Sequence, residues 1–419
     1  MKKNDINIKH FLTAVILILM SLSFYQYAGI PVNVFKLITF VTVPIFIFLL
    51  IINKRTKKGN RCDIDNGITR IIKWLLCSYV ISVFMAYLFW GQDFLLSYRV
   101  SYVFFIMLFY FYLKKKRYSL GTIEFIIWFF AVLYIFLWLY ALSRTPELTF
   151  GYTESGDVDD ESRGIFRINF IGNIFLPFAS FLAINKYAIT RKIKFLLLFG
   201  LFFVFIILQV TRQTILFTAI VSVIYLFKYY KKYIYILTFL LIAGYFILPY
   251  VKIPEDNVIS ALIELSESQN EADAAGNEYI RITEYRYFFT EWSGNPITWI
   301  LGNGLPHALS EYGRYYSRIQ TTQKLFLSDV GYASMYVING LVGLFFYFLL
   351  FFKSLKTKLP GNCHYASMFV LFLVLANIFA SWYFVADCQI AMALCFYIIS
   401  EYGMNNKVKI CNKQNCLDE

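Results

Sequence analysis

Residues 195–228 read FLLLFGLFFVFIILQVTRQTILFTAIVSVIYLFK, with one polar interruption, Gln209–Thr214. A helix rises 1.5 Å per residue, so one unbroken helix here is about 51 Å long, against a bilayer core of ~30 Å. The stretch therefore reads as two short spans meeting near Val210-Thr211-Arg212-Gln213-Thr214. The choice orients everything downstream. A single span would carry the basic loops Lys228–Lys232 and Lys353–Lys358 to the outer side, against the rule that Lys and Arg stay inside.

The rest of the chain agrees with a membrane reading. Of 419 residues, 59% are hydrophobic and 16% charged, with 45 Phe and 33 Tyr. An ordinary soluble domain has about 25% charged residues, so a soluble enzyme, a disordered chain and a fibrous protein are excluded. The expected fold is an all-α polytopic membrane protein with about twelve spans, near 11–29, 32–52, 71–90, 96–113, 121–142, 165–184, 195–211, 213–228, 233–250, 333–352, 364–382 and 385–400. The apolar run after Met1–His10 is too long for a cleaved signal peptide and reads as the first span.

Charge tests the arrangement. With the N-terminus inside, segments 1–10, 53–70, 114–120, 185–194, 228–232, 353–363 and 401–419 hold 26 Lys/Arg and 6 Asp/Glu, whereas the outer segments hold 11 and 19. The net charge is +20 inside and −8 outside, so the overall +13 reports orientation, and no nucleic-acid partner is expected. With polar residues at the membrane edges counted in the outer segments, the spans contain few ionisable groups: Lys36, Lys73 and Glu124, plus Arg167 near an edge. None of the seven cysteines lies in an outer segment, so no structural disulfide is expected.

The chain then divides into residues 1–194 with spans 1–6, 195–250 with spans 7–9 and the Arg212 element, a large external segment at 251–332, and 333–419 with spans 10–12 and a cytoplasmic tail. Residues 143–164 form an acidic outer loop. An 82-residue structureless segment is unusual, so 251–332 is expected to be partly helical. Asn257–Leu265 has one apolar face, and in Glu278–Trp292 the residues Arg281, Tyr285, Phe288 and Trp292 fall on one stripe. Gly294-Asn295-Pro296 and Gly302-Asn303-Gly304 are turn signals.

Four residues are candidates for chemistry. Arg212, between two apolar runs, either grips an anionic headgroup through its guanidinium fork or caps the hairpin at the interface. Arg281 is either carried inward by the aromatic stripe or pairs at the surface with Glu278 or Glu284. Asp329 is either a general base or the cap of the next helix. His307, the single histidine expected outside, is either a second base or an ordinary loop histidine. Arg99, Arg163 and Arg167 either join an anion site or anchor the interface. No Gly-rich phosphate loop and no metal-ligand spacing is present.

Taken together, these elements resemble the O-antigen polymerase and O-antigen ligase superfamily of bacterial membrane glycosyltransferases. Val210-Thr211-Arg212-Gln213 resembles the family's Ser-Arg element, with Thr in place of Ser. Trp299-Ile300-Leu301-Gly302-Asn303-Gly304 resembles its Leu-Gly-x-Gly turn. Asp329-Val330-Gly331-Tyr332 with Asn339-Gly340-Leu341-Val342-Gly343 resembles the loop's end and the next span. The match covers residues 195–350. Ligases usually carry a His where this chain has Asp329, which favours a polymerase.

The resemblance implies a GT-C-like fold in the bacterial inner membrane, and the charge distribution implies that both termini are cytoplasmic. The resemblance also implies polyprenyl-pyrophosphate-linked glycan as donor and acceptor, membrane lipid and a chain-length regulator as partners, and neither metal nor cofactor. Arg212 and Arg281 would hold the donor pyrophosphate, and Asp329 or His307 would accept the acceptor proton. Tyr285, Tyr287 and Trp292 would either stack on sugars or form loop core. The alternatives are a ligase acting on a lipid acceptor and a flippase for lipid-linked sugars.

Overall fold

The computed structural model describes residues 6–52, 67–145, 147–151, 168–209, 211–229, 280–292 and 294–403. Among them are fifteen α-helices and no extended strand. The N-terminal half holds α1 (Ile8–Ser21), α2 (Val32–Ile52), α3 (Ile68–Trp90), α4 (Phe94–Phe105), α5 (Leu108–Lys116), α6 (Leu120–Arg144), α7 (Phe175–Thr190), α8 (Ile193–Leu208) and α9 (Arg212–Tyr229). The external segment contributes α10 (Ile280–Thr290), α11 (Pro296–Leu301) and α12 (Glu311–Thr322). The chain then runs through α13 (Gly331–Lys356), α14 (His364–Ala376) and α15 (Ala386–Tyr402).

The membrane character holds, and the helices are of three kinds. Among the described residues α2, α3, α6 and α13 are long and apolar enough to cross a bilayer. The expected span at 96–113 is two helices, α4 and α5, bent by 45°, which makes a fifth if counted as one broken span. Helices α1 and α8, and the segment Gly361–Ala376 that includes α14, are shorter and apolar. Helices α7, α9 and α15 stand where the remaining spans are expected, and the expected span 233–250 lies outside the described residues, as do Asn257–Leu265, Arg163 and Arg167. Helix α15 is buried along Ala386–Ser400, so protein rather than lipid surrounds it, and it tolerates a charge. That charge is Asp387. Its carboxylate is fully buried and accepts the Gly172 N–H at 2.6 Å.

The break at Gln209–Thr214 is a hairpin between two helices. Phe202 packs on Trp128 and Phe205 on Trp138, so α8 runs parallel to α6. Helix α9 returns antiparallel to α14: Phe217 stacks on Phe379 at one end, and Tyr229 stacks on His364 at the other. Among the described residues, contacts gather at the two ends of the bundle. At one end of the bundle Lys186 pairs with Glu124 at 2.7 Å, Asn185 Nδ2 donates to the Gly361 carbonyl at 3.0 Å, and the Tyr118 hydroxyl donates to the His10 carbonyl at 2.9 Å. At the opposite end, Trp90 Nε1 donates to Asn303 Oδ1 at 2.9 Å, Tyr285 donates to the Ile378 carbonyl at 2.7 Å, and Ser381 N–H donates to the Ser328 carbonyl at 2.8 Å. We call this second end the lip.

Helix α13 is broken at Gly340, whose φ of +65° only glycine adopts readily. A break deprives the preceding carbonyls of their in-helix donors. The Gly302-Asn303-Gly304 turn supplies replacements: Asn303 N–H donates to Val337 O at 2.8 Å and Gly304 N–H to Ile338 O at 3.0 Å. The two glycine motifs of the sequence are therefore the two halves of one joint. A Cβ on Gly340 would overlap the Ile300 carbonyl. Gly340→Ala is expected to destabilise the fold by roughly 2–5 kcal/mol, from strain and overlap together. The variant should run aggregated on size exclusion in detergent conditions where the parent is monodisperse.

Candidate active site

The Glu278–Trp292 stripe folds inward through α10. Phe288 is fully buried and Trp292 nearly so, ringed by Tyr312, Tyr315 and Tyr316. Trp90 stacks on Tyr312 with ring centroids 4.3 Å apart, which fastens this aromatic core to the end of α3. Of the residues considered for sugar stacking, Trp292 is thus loop core. Tyr285 holds Ile378, and Tyr287 faces Tyr315 across 3.5 Å between hydroxyls. A cleft of about 350 Å³ opens beside this core. Part of its polar lining is already bonded: Asn303 to Trp90 and Val337, Thr298 to Asn295 O, and Asn295 to the Ile297 N–H.

Burying the stripe brings Arg281 along, and with it a residue that sequence reasoning took for a surface partner. Glu284 is fully buried. Its Oε1 accepts the Phe326 N–H at 2.9 Å, and its Oε2 accepts from Arg281 Nη1 at 3.2 Å. Burial pushes the Glu284 carboxyl above the ordinary carboxylate range, while Phe326 N–H and Arg281 pull the other way. The same Nη1 pairs with Asp329 Oδ2. Among the described residues nothing else bonds the Arg281 guanidinium, so its Nε–Nη2 edge is open, and the side chain is 26% exposed. That edge is the pair of parallel donors that matches two phosphate oxygens.

Asp329 does not cap the helix that follows. Helix α13 begins at Gly331 with no side-chain cap, and Asp329 closes a short 3-10 turn, Leu327–Asp329. Its Oδ1 accepts from Ser328 Oγ at 2.9 Å, and its other oxygen faces Arg281.

Arg212 is the first residue of α9, half-buried, at the same lip. Helices α9 and α10 both dock on the turn that ends α14: Phe217 stacks on Phe379, and Tyr285 bonds Ile378. The two arginines therefore come to one end of the bundle on helices that clasp one turn. A cation at a helix N-terminus adds to the positive end of the helix dipole, which makes the spot attractive to anions.

His307 lies elsewhere on the lip, against the α3–α4 turn. Its backbone N–H donates to Oε1 of the fully buried Gln92 at 2.9 Å, and Gln92 also accepts from Ser310 Oγ at 2.7 Å and donates to the Leu305 carbonyl at 2.9 Å. Partial burial and then the Arg99 charge hold its imidazole below the ordinary histidine range. Nδ1 accepts the Leu309 N–H at 3.1 Å, which leaves the proton on Nε2. In that tautomer the outward nitrogen is a donor. Among the described residues no contact joins His307 to Arg281 or Asp329. Glu284 and Gln92 are the two residues of this region that sequence reasoning missed. Glu284 had a signal, a carboxylate on an apolar helical face; Gln92, in Gly91-Gln92-Asp93, had none.

No family model matches the chain, and no curated protein matches it in sequence.

Proposed function

We propose that the chain is a surface-polysaccharide polymerase. It joins oligosaccharide units carried on polyprenyl pyrophosphate at the outer face of the bacterial inner membrane. One observation carries the reading: Arg281 sits beside Asp329 at the lip of a helical membrane bundle, with its Nε–Nη2 edge open. A phosphate ligand and a proton acceptor side by side suit a transfer in which the leaving group is a lipid diphosphate. Support for the orientation comes from the lysines and arginines of residues 114–117, 186–194 and 353–358 at the end opposite the lip, since basic residues favour the cytoplasmic side.

In this reaction the acceptor hydroxyl oxygen forms a bond to the anomeric carbon of the donor glycan. The bond from that carbon to the pyrophosphate oxygen breaks, and the electron pair leaves on the lipid pyrophosphate. Asp329 takes the hydroxyl proton. Arg212 and the open edge of Arg281 hold the diphosphate charge as it develops, an electrostatic stabilisation that is strong in a partly dehydrated site. Glu284 orients Arg281 from behind. The tautomer of His307 makes it the weaker choice of base.

A deletion strain tests the assignment. Loss of a polymerase is expected to leave single repeat units on the final acceptor, seen as the disappearance of the glycan ladder on a gel with one short band retained. Long polymer accumulating on the lipid carrier would make the chain a ligase instead. Lipid-linked units retained on the cytosolic face would make it a flippase.

A further inference from the structure

The cleft beside the aromatic core takes no part in the reaction above. It lies at the far end of α10 from Arg281: the helix rises about 14 Å from Arg281 to Thr290, and Glu291 follows at the cleft. Part of the lining is aromatic, from Phe89, Trp90 and Tyr315. Phe89 is 39% exposed, and Trp90 and Tyr315 are partly open. Trp90 is fixed in place, stacked on Tyr312 with its Nε1 bonded to Asn303 Oδ1. Most of the rest is polar. The amides of Asn295 and Asn303 are held by their bonds to Ile297 N–H and Val337 O. The exposed Glu291 adds a carboxylate that no hydrogen bond or ion pair engages among the described residues.

This lining selects a class of ligand. An aliphatic chain would strip water from the carboxylate and amides and give no hydrogen bond in return. A phosphate would meet the Glu291 charge, and among the described residues no Lys, Arg or His lines the cleft to offset it. A sugar suits both parts. Its ring C–H bonds carry slight positive charge and lie well on the negative face of an aromatic ring. Its hydroxyls donate to a carboxylate in bonds stronger than those between neutral groups. The volume of about 350 Å³ is at the small end of ligand sites, roughly the space of one or two sugar rings.

We propose that this cleft binds one sugar of the repeat unit, a sugar without negative charge. Glu291 accepts its hydroxyl protons, and Phe89, Trp90 and Tyr315 supply the surface on which its ring rests. The same carboxylate repels acidic sugars, so the cleft discriminates by charge at a distance from the bond being made. The inference rests on the polymerase reading, which supplies the glycan, and adds to it which kind of sugar is recognised and where.

Saturation-transfer NMR on the intact protein in an alkyl-chain detergent is the test. The probe is the surface glycan of the strain itself, cut by mild acid to lipid-free oligosaccharides of one to three repeat units. Irradiating aromatic protons excites the protein and not the detergent. Transfer is expected to ring C–H groups of an uncharged or amino sugar, at least about fivefold stronger than to any acidic sugar of the same unit. The Kd for the probe is expected to rise at least about tenfold in Glu291→Gln and in Phe89→Ala. Both side chains are exposed, so neither substitution removes a core contact. No transfer from the parent protein, strongest transfer to an acidic sugar, or a Kd unchanged in both variants would overturn the cleft assignment and leave the polymerase reading standing on its deletion strain. A glycan ladder intact in that deletion strain would overturn the reading and this inference together.

Discussion

Replacing Arg212 by lysine is expected to abolish most long-chain glycan while leaving the amount of protein in the membrane unchanged. A lysine keeps the positive charge but replaces a planar fork of donors with a single rotating point charge. If Arg212 holds the donor pyrophosphate, the lost donor geometry is felt mainly as the bond to the anomeric carbon breaks and charge builds on the leaving group. Loss of one such donor typically lowers turnover about 10²- to 10³-fold. The measurement is the glycan ladder from a strain carrying the variant, read beside an immunoblot of the membrane fraction. A full ladder from an Arg212→Ala strain with normal protein level would remove Arg212 from the mechanism.

The second large effect concerns Glu284. Its carboxylate is wholly buried and bonds two things at once, the Phe326 N–H and the Arg281 guanidinium. Truncation to alanine leaves a backbone donor without its acceptor and takes from Arg281 the partner that holds it from inside. Removing one member of a buried pair costs about 3–5 kcal/mol, because the other stays buried and uncompensated. Arg281 is partly exposed and retains Asp329, so the lower end of that range applies. Glu284→Ala is therefore expected to lower the melting temperature in detergent by several degrees and to open the 280–330 region to protease. Glu284→Gln keeps an oxygen for Phe326 N–H and should be milder in stability. It still loses the charge that orients Arg281, so polymer should fall with it. A Glu284→Ala protein as stable and as protease-resistant as the parent would mean that the network holds nothing in place.

These two residues also show where reading the chain one window at a time succeeds and where it stops. Helix positions, the hairpin at Gln209–Thr214 and the sharing of ends all follow from local quantities: an apolar run has a length, a bilayer has a thickness, and Lys and Arg are retained on one side. Arg212 could be singled out on that basis, since a cation between two apolar runs is conspicuous anywhere. The inward turn of the Arg281 stripe was likewise legible from its period. Among the described residues four helices, or five with the bent pair, are long and apolar enough to cross a bilayer, and α15, found where a span is expected, is enclosed by other helices instead of facing lipid. Its buried Asp387 is stabilised by backbone N–H groups, that of Gly172 from across the bundle and that of Cys388 beside it.

What the tertiary structure decided is partnership. Nothing within reach of Asp329 along the chain says that its carboxylate meets a guanidinium 48 residues away and leaves the next helix uncapped. Nothing near Gly340 says that the broken turn is completed by Asn303 and Gly304. Composition and period are summed over neighbours in sequence, whereas hydrogen bonds and ion pairs act over about 3 Å in space and ignore sequence separation. The membrane frame was therefore written in the order of the residues, and the electrostatics of the lip came into being only when distant segments were packed against one another.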